Sequence, residues 1–151
     1  VDRSLKSGAL AVGGAVEITT LPGYLPIKSN ETILKYYEGN AKTLVGENNV
    51  KRLTHRTSST DMGDLSQLMP IIHPYVAAAT GTSHGDNYLV KDYELGVITG
   101  AKAMAMTIVD LLIDGGELSY KVIKEYDPPL DKSTYIELMR SMFTNDVFDY
   151  R

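Results

Sequence analysis

The stretch Pro74-Tyr75-Val76-Ala77-Ala78-Ala79-Thr80 constrains the fold of this chain more than any other. It is short for a helix and apolar on both faces, which predicts a buried strand. Strands of that kind belong to parallel or mixed sheets with helices on both sides. A glycine-flanked loop follows, residues 81–91, and Asp92 then caps the longest helical pattern in the chain. Val97, Ile98, Ala101, Met104, Ala105, Ile108 and Leu112 make a wide apolar stripe along it, read as core, and Gly115-Gly116 ends it. Strand, loop and long helix in that order predict an α/β fold.

The rest of the chain fits the same class. Residues 1–12 read as a short helix on the spacing of Val1, Leu5, Ala9 and Val12, stopped by Gly13-Gly14. Val16 to Leu21 alternates and is rich in β-branched residues, as a strand should be. Asn30 is a good N-cap for a helix whose face is Ile33, Leu34, Tyr37, Ala41 and Leu44. Val50 to His55 predicts another short strand, and Asp64 to Met69 a short helix before Pro70. Two further helical segments, 117–126 and 132–143, flank Pro128-Pro129, with Tyr120, Tyr126 and Tyr135 expected to pack against the body. Three strands make a thin sheet, so partner strands are expected outside this chain.

Composition excludes several functions. The 151 residues are 43% apolar and 23% charged, as in ordinary globular proteins. A net charge of −4, with no basic run longer than two, argues against a nucleic-acid partner. The absence of cysteine excludes disulfide frameworks, zinc ribbons and thiol catalysis, and fits a cytoplasmic location. Thr99, Lys102, Thr107 and Asp110 make the apolar stretch 95–113 too polar to span a bilayer, so no membrane partner is expected. The chain opens on Val1-Asp2-Arg3 without a methionine, as an excised piece would.

The chemistry-bearing residues gather in two loops. His84 lies four residues beyond the expected strand end at Thr80, and α/β sheets bind ligands beyond the carboxyl ends of their strands. Gly81 and Gly85 let a ligand approach the backbone closely, and neutral imidazole is the commonest transition-metal ligand. The competing reading, an exposed loop histidine, is slightly favoured by spacing alone. The second loop, Ser59-Thr60-Asp61-Met62-Gly63-Asp64, offers two carboxylates that could hold a metal or orient a histidine. Its competing reading is a helix N-terminus, with Asp61 or Asp64 accepting backbone N–H bonds. Arg56 could clamp a substrate carboxylate or be a surface arginine. His73 reads as a structural histidine with one ring nitrogen satisfied. No His-x-His or Glu-Glu pair is present, and the His-x-Asp spacing occurs once, as His84-Gly85-Asp86 in this same loop. A catalytic zinc keeps three protein ligands, so the partners of His84 are expected elsewhere. A site made from His84, Asp61 and Asp64 alone ranks last.

Residues 58–112 resemble the C-terminal part of the metal-dependent amidohydrolases. These are dinuclear metallopeptidases that include aminoacylases, glutamate carboxypeptidases and the p-aminobenzoyl-glutamate hydrolases, the last being the nearest likeness. Ser59-Thr60-Asp61-Met62-Gly63-Asp64-Leu65-Ser66 matches a family motif, and His84 matches the histidine that is the family's last metal ligand. The likeness runs to about residue 115, and more weakly back to residue 1.

That resemblance implies the C-terminal part of a zinc-peptidase-like catalytic domain, a mixed sheet flanked by helices. Residues 1–28 would be the end of a lid or dimerisation domain, 29–115 the C-terminal half of the catalytic domain, and 116–151 a helical tail packed on it. It implies a divalent metal, zinc first, with manganese or cobalt acceptable, and hydrolysis of a small amide or peptide substrate by a homo-oligomer. His84 would be a metal ligand; Thr60, Asp61, Asp64, Gly81 and Arg56 would line the substrate side or support the ligands. The general base and the remaining ligands would come from an N-terminal half that this sequence lacks, leaving the isolated chain inactive. The alternative is a non-catalytic interaction or dimerisation module, with residues 1–21 pairing across subunits.

Overall fold

Residues 1–53 and 58–151 are described in the computed structural model. In chain order the elements are α1 (Asp2–Ala11), β1 (Ala15–Thr20), α2 (Glu31–Val45), α3 (Met62–Leu68), β2 (Ala79–Thr80), β3 (Leu89–Val90), α4 (Gly100–Leu112), α5 (Glu117–Glu125), α6 (Lys132–Met142) and β4 (Thr144–Asp149). They fall into two units: Val1–Tyr24 with Leu130–Arg151, and Leu25–Pro129.

In the smaller unit β1 pairs antiparallel with β4, from Ala15 opposite Asp149 to Thr20 opposite Thr144. Ile18 is its buried residue. Asn145 donates to Glu17 across the pair at 3.0 Å, and the Lys6 ammonium lies 3.7 Å from the Phe148 ring centroid. Sequence reading does not anticipate β4. Its two large apolar residues, Val147 and Phe148, are adjacent rather than alternating, so the pairing with β1 makes it a strand. α6 starts where Asp131 accepts the Thr134 N–H at 2.8 Å. Its half-buried residues are Tyr135, Ile136, Leu138, Met139 and Met142, one side of the helix.

In the larger unit Asn30 caps α2 as expected, accepting the Ile33 N–H at 3.0 Å. α2 packs on α4, where the Asn40 amide donates to Thr107 Oγ1 (3.1 Å) and Asp110 Oδ2 (2.6 Å). Asp92 accepts the Leu95 N–H at 2.8 Å and opens a π-helical turn, Glu94–Thr99, that leads into α4. The core reading of the apolar stripe needs correction. The buried residues of α4 are Ala103 and Thr107, whereas Val97 is 57%, Met104 56% and Leu112 65% exposed. Small residues explain it: a Cβ on Gly96 would come within 2.8 Å of the Ala78 Cβ, so the helix descends on its narrow side. Tyr120, expected to pack, is exposed.

The central strand also needs correction. Of residues 74–80 only Ala79 and Thr80 are a strand, and they pair antiparallel with β3. The Ala78 N–H turns back to Val76 O at 2.9 Å, and Ala78 O accepts the N–H groups of Lys91 and Asp92. A tight turn of that kind ends an extended run. Val50–Leu53 is not a strand, and the remainder of that expected element, Thr54 and His55, lies outside the described residues. The fold is therefore a mixture of helices and small antiparallel pairs, compatible with α/β. In place of a mixed sheet, the described residues have two two-stranded sheets and one parallel bridge, Ser29 to Ile71. By length and composition alone Glu94–Glu125 could cross a membrane. It is interrupted, however, by Asp114, Gly115 and Gly116 at φ 53°, 73° and 79°, and it carries Lys102 and Asp110.

Candidate functional site

β2 and β3 hold the loop that carries His84. Gly81 has φ +89°, and a Cβ there would lie 2.1 Å from the Asn87 carbonyl oxygen, so glycine is required. The Asn87 side chain accepts the Thr82 N–H at 3.0 Å. The Gly85 N–H donates to Thr82 O at 2.8 Å and the Tyr88 N–H to Gly85 O at 3.2 Å. These bonds lock a compact turn with His84 in the left-handed region, at φ +62°. Histidine tolerates that region better than most residues, yet such a position still costs on the order of 1 kcal/mol. The ring is exposed. A cavity of about 470 Å³, lined by Ala77, Ala78, Ala79, Thr80, Lys91, Asp92 and Tyr93, lies against β2. His84 is not part of its lining.

The Thr60–Ser66 motif does something different. Thr60 Oγ1 donates to Asp61 Oδ1 at 3.2 Å and accepts the Met62 N–H at 3.4 Å. Asp61 is exposed at the start of α3 and makes no side-chain cap. Asp64 Oδ1 accepts the N–H of Leu25 at 2.8 Å. Ser66, fully buried, accepts the Lys28 N–H at 2.9 Å and donates to Gly63 O at 2.6 Å. Gln67 donates to Pro26 O at 2.6 Å, and the Tyr126 hydroxyl donates to Ser66 O. A Cβ on Gly63 would fall 1.7 Å from Leu25 O. Sequence reasoning takes Gly63 and Ser66 only as part of a motif and Tyr126 only as a packing residue, and assigns none of them these bonds. The signal for the first two was their i, i+3 spacing on one helix face.

No group of three or more histidine, aspartate or glutamate side chains among the described residues could hold a metal. The site from His84, Asp61 and Asp64 alone is therefore overturned. A structural metal site satisfies its ion with four protein ligands and a catalytic one with three, so the residues present do not fit a metal centre by themselves. Arg56 lies outside the described residues, as does His55. His73 is expected to be structural, with one ring nitrogen satisfied, and the structure speaks to one of its two nitrogens. Its Nδ1 is buried without a hydrogen-bond partner, and its ring is tilted 36° to Tyr75 at 4.9 Å.

Charge elsewhere is organised on α2. Lys42 and Arg52 each reach Glu38 at 2.9 Å, and Arg52 also reaches Glu31 at 2.9 Å. Lys42 first, then Arg52, holds the Glu38 carboxyl below its ordinary range. The cluster is solvent-facing, where such pairs contribute little.

No family model matches the chain. Its similarity is to enzymes that cleave peptide bonds. The relatives are the Xaa-Arg dipeptidase of Mus musculus, 32% identical over 117 residues, and that of Homo sapiens, 29% identical over 117 residues. Each match covers 71% of this chain, but 27% and 26% of the relative respectively. The chain thus spans about a quarter of the length of these relatives. No solved structure matches.

Proposed function

We propose that this chain is part of a metal-dependent hydrolase of peptide or N-acyl-amino-acid bonds, and that His84 supplies one ligand to its divalent metal. Zinc suits an imidazole ligand best, with manganese and cobalt as alternatives. The observation that carries the reading is His84 itself, an exposed imidazole without a partner among the described residues, on a strained turn that glycine and Asn87 lock in place. Strained non-glycine residues cluster at functional sites. The similarity to Xaa-Arg dipeptidases supports the same class. It makes a dipeptide with C-terminal arginine the first substrate to try. In this reading the other ligands and the general base lie outside these 151 residues. Thr60, Asp61, Asp64, Gly81 and Arg56 act on the substrate side or behind the ligands, and residues 1–28 are the end of a lid or dimerisation domain. The intact enzyme is a cytoplasmic homo-oligomer.

The test uses the complete protein that carries this sequence, purified with its metal. His84→Ala should lower Xaa-Arg hydrolysis by on the order of 100-fold or more and reduce bound metal in parallel. Unchanged turnover with unchanged metal content would refute the proposal. A second reading, an interaction module, is favoured by one observation. In the β1–β4 sheet each strand has a single partner among the described residues, leaving an outer edge on each that could accept a strand from another chain. Sedimentation of the chain as a monomer at all concentrations would remove that reading.

A further inference from the structure

In the larger unit α2 and α5 both pack on α4. Residues of both helices line a cavity of about 380 Å³, within the size range of small-molecule sites. Lys35 of α2, Lys121 of α5 and Arg52 bring positive charge to it, against one carboxylate, Glu31. The whole chain carries −4, so this wall reverses the balance of the molecule. Glu31 precedes Lys35 by four residues on α2, the order in which the two would pair along a helix. It reaches Arg52 Nη1 instead, at 2.9 Å, while Glu38 holds Arg52 Nε at 2.9 Å. Arg52 is thereby anchored by two carboxylates, and its Nη2 has no bond among the described residues. Lys35 is left without an ion pair among the described residues. So is Lys121, although Glu117 and Glu125 lie four residues to either side of it. Two uncompensated ammonium groups on one concave wall focus a positive potential there, which an anion relieves. The Thr32 and Tyr36 hydroxyls add donors to the lining, and the Tyr36 ring and Leu118 give it an apolar part.

We propose that this cavity binds a small organic dianion, a phosphate monoester whose head is held by Lys35 and Lys121 and whose apolar body rests on Tyr36 and Leu118. Arg52, fixed by Glu31 and Glu38, offers Nη2 to the same head. The donors outnumber the acceptors, since Glu31 is already engaged, and that suits an oxygen-rich head. The volume exceeds what a bare inorganic ion fills, so the ligand carries an organic body. No residue of the β2–β3 loop lines the cavity, and binding here does not depend on the role given to His84.

The experiment follows the amide NMR spectrum of the 151-residue chain during titration with phenyl phosphate at about pH 7.5, where its head is largely a dianion. The amides of Lys35, Tyr36 and Lys121 should shift together and saturate, with a Kd of about 1 mM. Lys35→Gln and Lys121→Gln should each weaken binding about three- to fivefold. Lys35→Arg keeps the charge and should keep the affinity, as should the control Lys102→Gln, whose lysine is on α4 and outside the lining. Benzenesulfonate, the same ring with one charge fewer, should bind about fivefold more weakly, and inorganic phosphate more weakly than phenyl phosphate. Absence of saturable shifts at Lys35 and Lys121 would overturn the proposal. An equal loss in Lys102→Gln and Lys35→Gln would overturn it too, since attraction would then be general rather than sited. Benzenesulfonate binding as tightly as phenyl phosphate would refute the dianion, and inorganic phosphate doing so would refute the organic body.

Discussion

The two loops that carry the candidate residues are built in opposite ways. Around α3, polar side chains are consumed: Asp64, Ser66 and Gln67 each hold a backbone group of residues 25–28, and Ser66 is fully buried. Between β2 and β3 the backbone is equally well fixed, yet the His84 side chain at the tip has no hydrogen-bond partner among the described residues and is exposed. A buried polar group must be satisfied within the fold, so the α3 region is complete in this chain. An exposed, strained imidazole satisfies nothing locally. The difference separates side chains already engaged with backbone from one whose ring is open to a ligand.

Substitutions can break this contrast, and Gly63→Ala should have the largest effect. Its Cβ would meet backbone rather than a flexible side chain, so we expect a loss of about 3 kcal/mol or more in denaturant unfolding. Ser66→Ala should cost about 1–3 kcal/mol by removing a fully buried hydroxyl that accepts the Lys28 N–H and donates to Gly63 O. Asp131→Ala should destabilise less, and in a pH-dependent way. Ser133 first, then the Thr134 backbone and side chain, lower the Asp131 carboxyl from 3.8 to about 2. Its stabilisation is thus present above pH 3.8 and is lost as pH falls through about 2. Thermal melts of variant and parent should converge across that window. His84→Gly should be nearly neutral, within about 0.5 kcal/mol, because glycine adopts the left-handed conformation freely. A large loss at His84 would mean that the loop is part of the core after all.

Much of this was legible in the sequence, for identifiable reasons. Asn30 and Asp92 announce their helices because a cap is a local signal, and Gly115-Gly116 announces a stop for the same reason. Residues 74–80 misled because an apolar run implies burial, while a strand needs a partner that sequence does not supply. The stripe on α4 misled similarly: glycine and alanine on the other side decide which face packs. β4 was hidden because its partner lies more than a hundred residues away. Of the candidate site, the loop around His84 was readable from its glycines. The bonds of Asp64 were not, since a carboxylate near a helix start looks the same whether it holds backbone or faces a ligand.

The central claim is that His84 is a ligand without a completed site among the described residues. Zinc titration of the purified 151-residue chain by calorimetry tests it most directly. A lone imidazole should bind in about the millimolar range, near −4 kcal/mol, with no hydrolysis of Xaa-Arg dipeptides. One zinc per chain held at about micromolar affinity or tighter, and removed by His84→Ala, would contradict the account.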